Sequence, residues 1–215
     1  MNFRARLVIA ADLAGKIKSA PAILTPKEKI LLGKYSRKVK VGAVEIGVLF
    51  GGSSSIITKF LHSGVKLTAI DPFIKDSRSD SQGNLDCARY FVEKYGDIRK
   101  IIFVKNYSYR VVRKWKKPID FLFIDGNHDY DAIKADFCSW SPFLIQGGVL
   151  LIHDSNKPYF DNDRTEFNGF DGPTRVCNEI KKERRHEFVL LESLDGMNVF
   201  QKIKRSLVAK DKIKK

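Results

Sequence analysis

The 215-residue sequence predicts an α/β domain built around a mostly parallel sheet with helices on both faces. Three observations point there. Five short apolar stretches alternate with helix-patterned segments, and a glycine-rich turn joins the first stretch to its helix. The chain then closes on two apolar runs that face each other across Asp195-Gly196, a hairpin turn signal. Alternation implies βαβ units, and the closing hairpin adds one antiparallel strand to an otherwise parallel sheet.

Taken in order, Thr25-Pro26-Lys27-Glu28 opens a helix running to about Lys40: Thr25 is the N-cap, Pro26 suits the first turn and Glu28 completes a capping box. With an amphipathic segment over residues 3–18 it forms a basic helical extension over residues 1–40, ahead of the domain proper at 41–203. Ala43–Gly47 is the first strand, followed by a helix over about 53–63. The second strand is Lys66–Asp71, with a helix over about 82–95 carrying Leu85, Ala88, Phe91, Val92 and Tyr95 on one face. Lys100–Val104 precedes a short helix over about 108–116, and Ile119–Ile124 precedes a helix over about 130–144. Gly148–His153 is the fifth strand, residues 155–171 a polar loop and 172–185 a helix. The hairpin pairs Glu187–Leu191 with Met197–Gln201, and residues 204–215 form a basic tail.

Composition removes several classes of function. No apolar run approaches the roughly 18 residues of a membrane span, and Asp12, Lys16 and Lys18 interrupt the N-terminal apolar stretch before it reads as an export signal. Cys87, Cys138 and Cys177 are odd in number and widely spaced, which argues against a disulfide framework or a zinc site and fits a reducing, cytoplasmic location. The net charge of +14 comes entirely from the ends: residues 1–40 carry +8, residues 201–215 carry +6, and the centre sums to zero. Basic ends can serve as solvated tails or as contacts to phosphates, but the central domain as a whole shows no charge bias toward nucleic acid.

The chemistry-bearing residues fall at the ends of the expected strands, the edge where open α/β sheets bind ligands. Glu45-Ile-Gly47 runs into Gly51-Gly52-Ser53, so a strand meets bare backbone at a helix start. The spacing is not the G-x-G-x-x-G of dinucleotide enzymes. Asp71 ends the second strand, where a carboxylate can accept both hydrogen bonds of a ribose diol. Asp125-Gly-Asn-His128-Asp-Tyr130 follows the fourth strand, and Gly147-Gly148 leads through the fifth to His153-Asp154-Ser155. Asp125, His153 and Asp154 should converge, a set suited to Mg²⁺ or a similar hard cation; a polar network without metal is the alternative.

Over residues 41–203 this combination resembles the class I S-adenosylmethionine (SAM)-dependent methyltransferases, and Asp-Gly-x-His-x-Tyr with Gly-Gly-x₄-His-Asp-Ser resembles a subgroup of small-molecule O-methyltransferases. Such relatives often act on sugars, antibiotics or other secondary metabolites. The resemblance implies a Rossmann-like sheet of order 3-2-1-4-5-7-6 with strand 7 antiparallel. It also implies SAM over Glu45, Gly47, Gly51 and Ser53, its ribose on Asp71 and its adenine near Ser108. By comparison with the catechol-type enzymes, Asp125, His153 and Asp154 match metal ligands and His128 matches the base. Two departures stand out: histidine replaces a carboxylate ligand, and histidine replaces lysine as base. An imidazole titrating near pH 6.5 can take a proton at neutral pH.

The function expected is therefore methyl transfer to a hydroxyl of a small-molecule acceptor. His128 and Asp125 would do the chemistry, and the loop Asn156–Phe170 would overhang the substrate. An RNA methyltransferase using the basic ends is disfavoured because no Asn/Asp-Pro-Pro-Tyr/Phe motif is present. A non-catalytic SAM-binding protein and an NAD-dependent oxidoreductase are the other readings. The N-terminal helices could form a homo-oligomer contact or cover the substrate.

Overall fold

The computed structural model describes residues 20–74, 83–156 and 170–204. The expected helix over 3–18, most of the loop 156–170 and the tail after residue 204 lie outside them. Seven strands form one sheet of order β3-β2-β1-β4-β5-β7-β6: β1 (Ala43–Ile46), β2 (Leu67–Asp71), β3 (Ile101–Lys105), β4 (Ile119–Ile124), β5 (Leu144–Ile152), β6 (Phe188–Leu194) and β7 (Met197–Lys202). The first five are parallel, and β7 runs antiparallel to both neighbours. The order and the antiparallel strand are as the resemblance implied.

Among the described residues six α-helices flank the sheet: α1 (Pro26–Ser36), α2 (Gly52–Phe60), α3 (Leu85–Tyr95), α4 (Ser108–Val111), α5 (Tyr130–Trp140) and α6 (Asp171–Glu183). Because successive strand residues point to opposite faces, the central strands feed two cores. Ala43, Phe121, Phe123 and Leu151 join the core packed by α1 and α2. Val44, Leu122, Ile124 and Ile152 join the one packed by α5 and α6. This double burial is why the strands read as near-continuous apolar runs.

Of the boundaries that move, three do so for a clear local reason. The helix expected over 130–144 stops at Trp140 because Pro142 turns the chain into a 3₁₀ segment, Ser141–Phe143. The helix expected over 108–116 is one α-turn continued by a 3₁₀ turn to Lys114. Strand β5 begins at Leu144, ahead of the expected start at Gly148. It pairs with Ile119 there, the register breaks, and pairing resumes at Phe121–Val149 with Gly147 at φ +84°. The Gly147-Gly148 pair that reads as a strand start is the irregularity within a longer strand.

The capping box at Thr25 and Glu28 is present, and α1 is integrated with the domain: Leu31, Leu32, Tyr35 and Val39 are buried members of the first core. Both of its ends are tied to the C-terminal hairpin, Thr25 Oγ1 donating to Asp195 (2.6 Å) and Tyr35 Oη to Glu192 (2.5 Å).

At the carboxyl end of β1 the chain passes so close to β4 that a Cβ on Gly47, which sits at φ +91°, would lie 2.0 Å from the Asp125 carbonyl oxygen. Gly47→Ala must therefore strain its own backbone and push apart the two strands that carry the site. It should lower stability by about 3 kcal/mol or more, read as a reduced midpoint in urea unfolding.

Candidate active site

The loops leaving β1, β2, β4 and β5 enclose a cavity of about 520 Å³. Leu49, Phe73 and Asp154, in three of those loops, hold left-handed φ values of 53°, 51° and 51°. Non-glycine residues keep such conformations only where surrounding contacts fix them, and they cluster at functional sites.

Asp71 stands at the end of β2 and lines the cavity. Its Oδ2 accepts from the Val48 and Leu49 amides (2.8 and 3.0 Å) and its Oδ1 from Phe73 N (2.6 Å). The carboxylate thus pins the turn after β1 while keeping lone pairs for a ligand.

The expected cofactor residues divide into wall and support. Gly47, Ser53, Asp71, Ser108 and Asp125 line the cavity; Glu45 and Gly51 do not. Glu45 is fully buried and accepts from the Ser53 and Ser54 hydroxyls. Burial dominates over those two hydrogen bonds and pushes its carboxyl up to about 8, so it is mostly protonated at neutral pH. Gly51 is the left-handed N-cap of α2, and a Cβ there would meet Ala88 of α3 at 2.8–3.1 Å. Both residues shape the loop from behind.

Asp125, His128 and Asp154 come together, each offering one ligand-type atom, and those atoms lie within 4.8 Å of one another. His128 Nε2 is 3.1 Å from Asp154 Oδ2 but off the direction a hydrogen bond needs, so it is a buried nitrogen without a hydrogen-bond partner. Phe170 stacks on the His128 ring at 4.1 Å between centroids, with 10° between planes. The start of α6 can approach because residue 172 is glycine: a Cβ there would lie 2.1 Å from the His128 carbonyl oxygen. Tyr130, the last residue of the Asp-Gly-x-His-x-Tyr motif, donates to Glu179 of α6 (2.7 Å), and Lys134 bonds both. It latches α5 to α6 beneath the site.

His153 sits differently from its expected place in a ligand set. Only 5% exposed, its ring lies between carboxylates: Nδ1 is 3.0 Å from Asp125 Oδ1 and 3.5 Å from Asp154 Oδ2, and Nε2 is 3.4 Å from Glu28 Oε2. Both nitrogens face acids, so the convergent set contains His128 where His153 was expected. Burial alone would lower the imidazole's pKa, but Asp125, Glu28 and Asp154 outweigh it and push it up to about 11. The surrounding acids thus favour the protonated form of His153.

Sequence reasoning missed two more groups. Glu28 is legible only as a helix cap, because its partners lie 125 and 168 residues away. Asp136, on α5, lines the cavity and accepts from Ser108 Oγ; its place on a helix gave no strand-end signal. Pro21, Ala22 and Leu24, ahead of α1, also contribute to the wall.

With this geometry in view, comparison places the chain. The methyltransferase-domain family matches residues 44–155, more than half of the sequence, and the chain belongs to that family. The mimivirus protein R132 of Acanthamoeba polyphaga mimivirus is 29% identical over 117 residues, which is 52% of this chain and 50% of that one; the chain thus spans half the length of this relative. Among solved structures, an O-methyltransferase from Bacillus cereus in complex with SAH superposes with a TM-score of 0.64 at 15% identity, covering 95% of this chain and 92% of that one. MycE, a methyltransferase of the mycinamycin biosynthetic pathway solved with Mg and SAH, superposes at 0.53 with 18% identity, covering 86% of this chain and 50% of its own. These two similarities establish the shared fold. No helix among the described residues is long and apolar enough to cross a membrane.

Burial, the largest influence, pushes the Asp136 carboxyl up to about 6, against the hydrogen bond from Ser108, which favours ionisation. The folded state therefore holds this proton more tightly than the unfolded chain, whose aspartate titrates near 3.8. The stability it contributes is full below about pH 4 and is lost as pH rises to about 6. Asp136→Asn should flatten that part of the stability profile, measured by denaturant unfolding at stepped pH.

Proposed function

We propose that the chain transfers a methyl group from SAM to a hydroxyl of a small-molecule acceptor, with His128 as the proton acceptor. The observation that carries the reading is the His128–Asp154 pair at the floor of the carboxyl-edge cavity, in a chain of the methyltransferase-domain family. The cavity suits SAM by its chemistry. Asp71 is placed for the ribose, Ser108 and Asp136 offer polar atoms to the adenine, and Asp125 and Asp154 suit a cationic sulfonium.

SAM, when bound, supplies a methyl group already activated by its sulfonium. The protein must then orient the acceptor and take its proton. Asp154 Oδ2 stands 3.1 Å from His128 Nε2, and a small turn of the ring would bring an Nε2 proton into a hydrogen bond with it. Nδ1 is then left with the lone pair that accepts the hydroxyl proton. Phe170 fixes the ring plane. As the acceptor oxygen bonds to the methyl carbon, the carbon–sulfur bond breaks, its electron pair neutralises the sulfonium, and the imidazolium formed at His128 is held by Asp154.

A second reading is favoured by the unpartnered Nε2 of His128. Asp125, His128 and Asp154 would hold a divalent cation, and one imidazole with two carboxylates suits Mn²⁺ or Mg²⁺. Such an ion supplies Lewis acidity toward the acceptor hydroxyl, and His128 would then be a ligand instead of the base. A cytoplasmic location belongs to this proposal, supported by Cys87, Cys138 and Cys177 all being free thiols.

Calorimetric titration of the full chain should show SAM binding in the micromolar range, weakened about tenfold or more by Asp71→Ala, which removes a ribose acceptor and releases the Val48–Leu49 turn. No SAM binding would overturn the proposal. Across a panel of hydroxylated acceptors, His128→Ala should slow SAH production about tenfold or more with SAM affinity retained. If activity is lost on chelation and restored by Mn²⁺, His128 is a ligand; if chelation changes nothing, it is the base.

A further inference from the structure

Glu28 enters the molecule as a helix cap, yet it is only 2% exposed and its carboxylate serves three elements. Oε2 accepts from its own cap, Thr25 N, at 2.8 Å, and Oε1 accepts from Gly196 N in the turn between β6 and β7 at 2.7 Å. The third partner is the His153 ring, 3.4 Å from Oε2 and hydrogen-bonded on its far side to Asp125 Oδ1 at 3.0 Å. Capping requires only a carboxylate that can reach back to the cap amide, and most capping glutamates do so from a solvated helix end. A cap buried against an imidazole that itself grips a site carboxylate does something more.

We propose that Glu28 is a positioning residue of the methyl-transfer site: through the His153 ring it fixes the orientation of the Asp125 carboxylate. This rests on the reading of Asp125 as a site residue.

His153 can turn about its side-chain bonds unless both nitrogens are engaged. Glu28 engages Nε2, which directs Nδ1 at Asp125. With one oxygen occupied by Nδ1, Asp125 is left with its other oxygen for the cavity it lines. The same Nδ1 lies 3.5 Å from Asp154 Oδ2, which in turn faces His128. Acid and imidazole therefore alternate from the N-terminal helix to the proposed base. Partners standing one layer behind a site commonly change affinity or rate by about 10–100-fold when removed. His128 and Asp154 are held from other directions too, by Phe170 and the strained turn after β5; the His153 ring is the side-chain hydrogen-bond partner of Asp125 among the described residues.

The test uses the full chain with ¹³C-labelled aspartate, the Asp125 carboxyl signal being assigned by its loss in Asp125→Asn. In Glu28→Gln the Asp125 signal should move by more than its linewidth. In Thr25→Ala, which removes the cap but leaves Glu28 facing His153, it should stay in place while Tm falls. In a His153→Asn background, adding Glu28→Gln should produce no further movement, because the route is already cut. If Glu28→Gln fails to fold, Glu28→Asp keeps the charge but draws the carboxylate back by one methylene, and should also move the Asp125 signal. Where an acceptor supports turnover, Glu28→Gln should lower kcat about tenfold with the KM for SAM within about twofold. An Asp125 signal unmoved by either Glu28 variant overturns the proposal, as does an equal movement with and without His153. Absence of SAM binding to the wild-type chain would instead sink the methyltransferase reading and leave the coupling measurement standing.

Discussion

One buried charge arrangement organises this molecule: the His153 imidazolium set among Glu28, Asp125 and Asp154. A lone cation in that position would be costly, as would any of the three acids without it. Together they make one electrostatic unit, and its four members come from three places: helix α1, the end of β4 and two successive residues after β5. The unit adds side-chain ties at the carboxyl edge of the sheet, where the last backbone bonds run from Asp125 N to Ile46 O and from His153 N to Ile124 O. The left-handed backbone of Asp154 is tolerated within this arrangement, since the turn brings two consecutive side chains, His153 and Asp154, into the same network.

The electrostatics of the cavity divide into groups that carry charge and groups that give it up. Asp71, Asp125 and Asp154 present carboxyl groups to the interior, whereas Glu45, fully buried behind the wall, is mostly protonated at neutral pH. This keeps the Glu45 charge out of a region already crowded with carboxyl groups and lets Glu45 act as a neutral strut for the start of α2. An acidic interior also distinguishes the two forms of the donor. Under the proposed reaction SAM carries a sulfonium and SAH does not, so the same lining would hold the donor more strongly before transfer than after it.

Most of the sheet was legible in the sequence because its signals are local. Phe121-Leu-Phe-Ile124 reads as a doubly buried strand with no knowledge of its neighbours, and Asp195-Gly196 marks the hairpin by itself. The strand-end residues Asp71, Asp125 and Asp154 follow from the rule that open α/β sheets bind ligands at that edge. What stayed hidden depends on approach across the fold. Glu28 looks like a capping residue because it is one, and nothing within ten residues reveals Gly196 or His153. Asp136 sits mid-helix, where an acid is ordinarily a solvated face. That His128 converges with Asp125 and Asp154 while His153 lies enclosed among carboxylates could not be read from spacing in the chain, which does not show how either ring is surrounded.

The contact between Glu28 and Gly196 spans 168 residues, and this separation bears on how the protein is made. A chain leaving the ribosome exposes helix α1 well before the hairpin turn that receives the Glu28 carboxylate, which lies 168 residues further on. Until then the apolar face of α1 has only part of its core, and the buried acid has neither its amide donor nor its imidazole. Pairings of such long range are slow to form and leave surfaces open meanwhile. Completion of the site thereby waits on the hairpin: a product cut short before it would lack the Gly196 amide that holds the Glu28 carboxylate against His153.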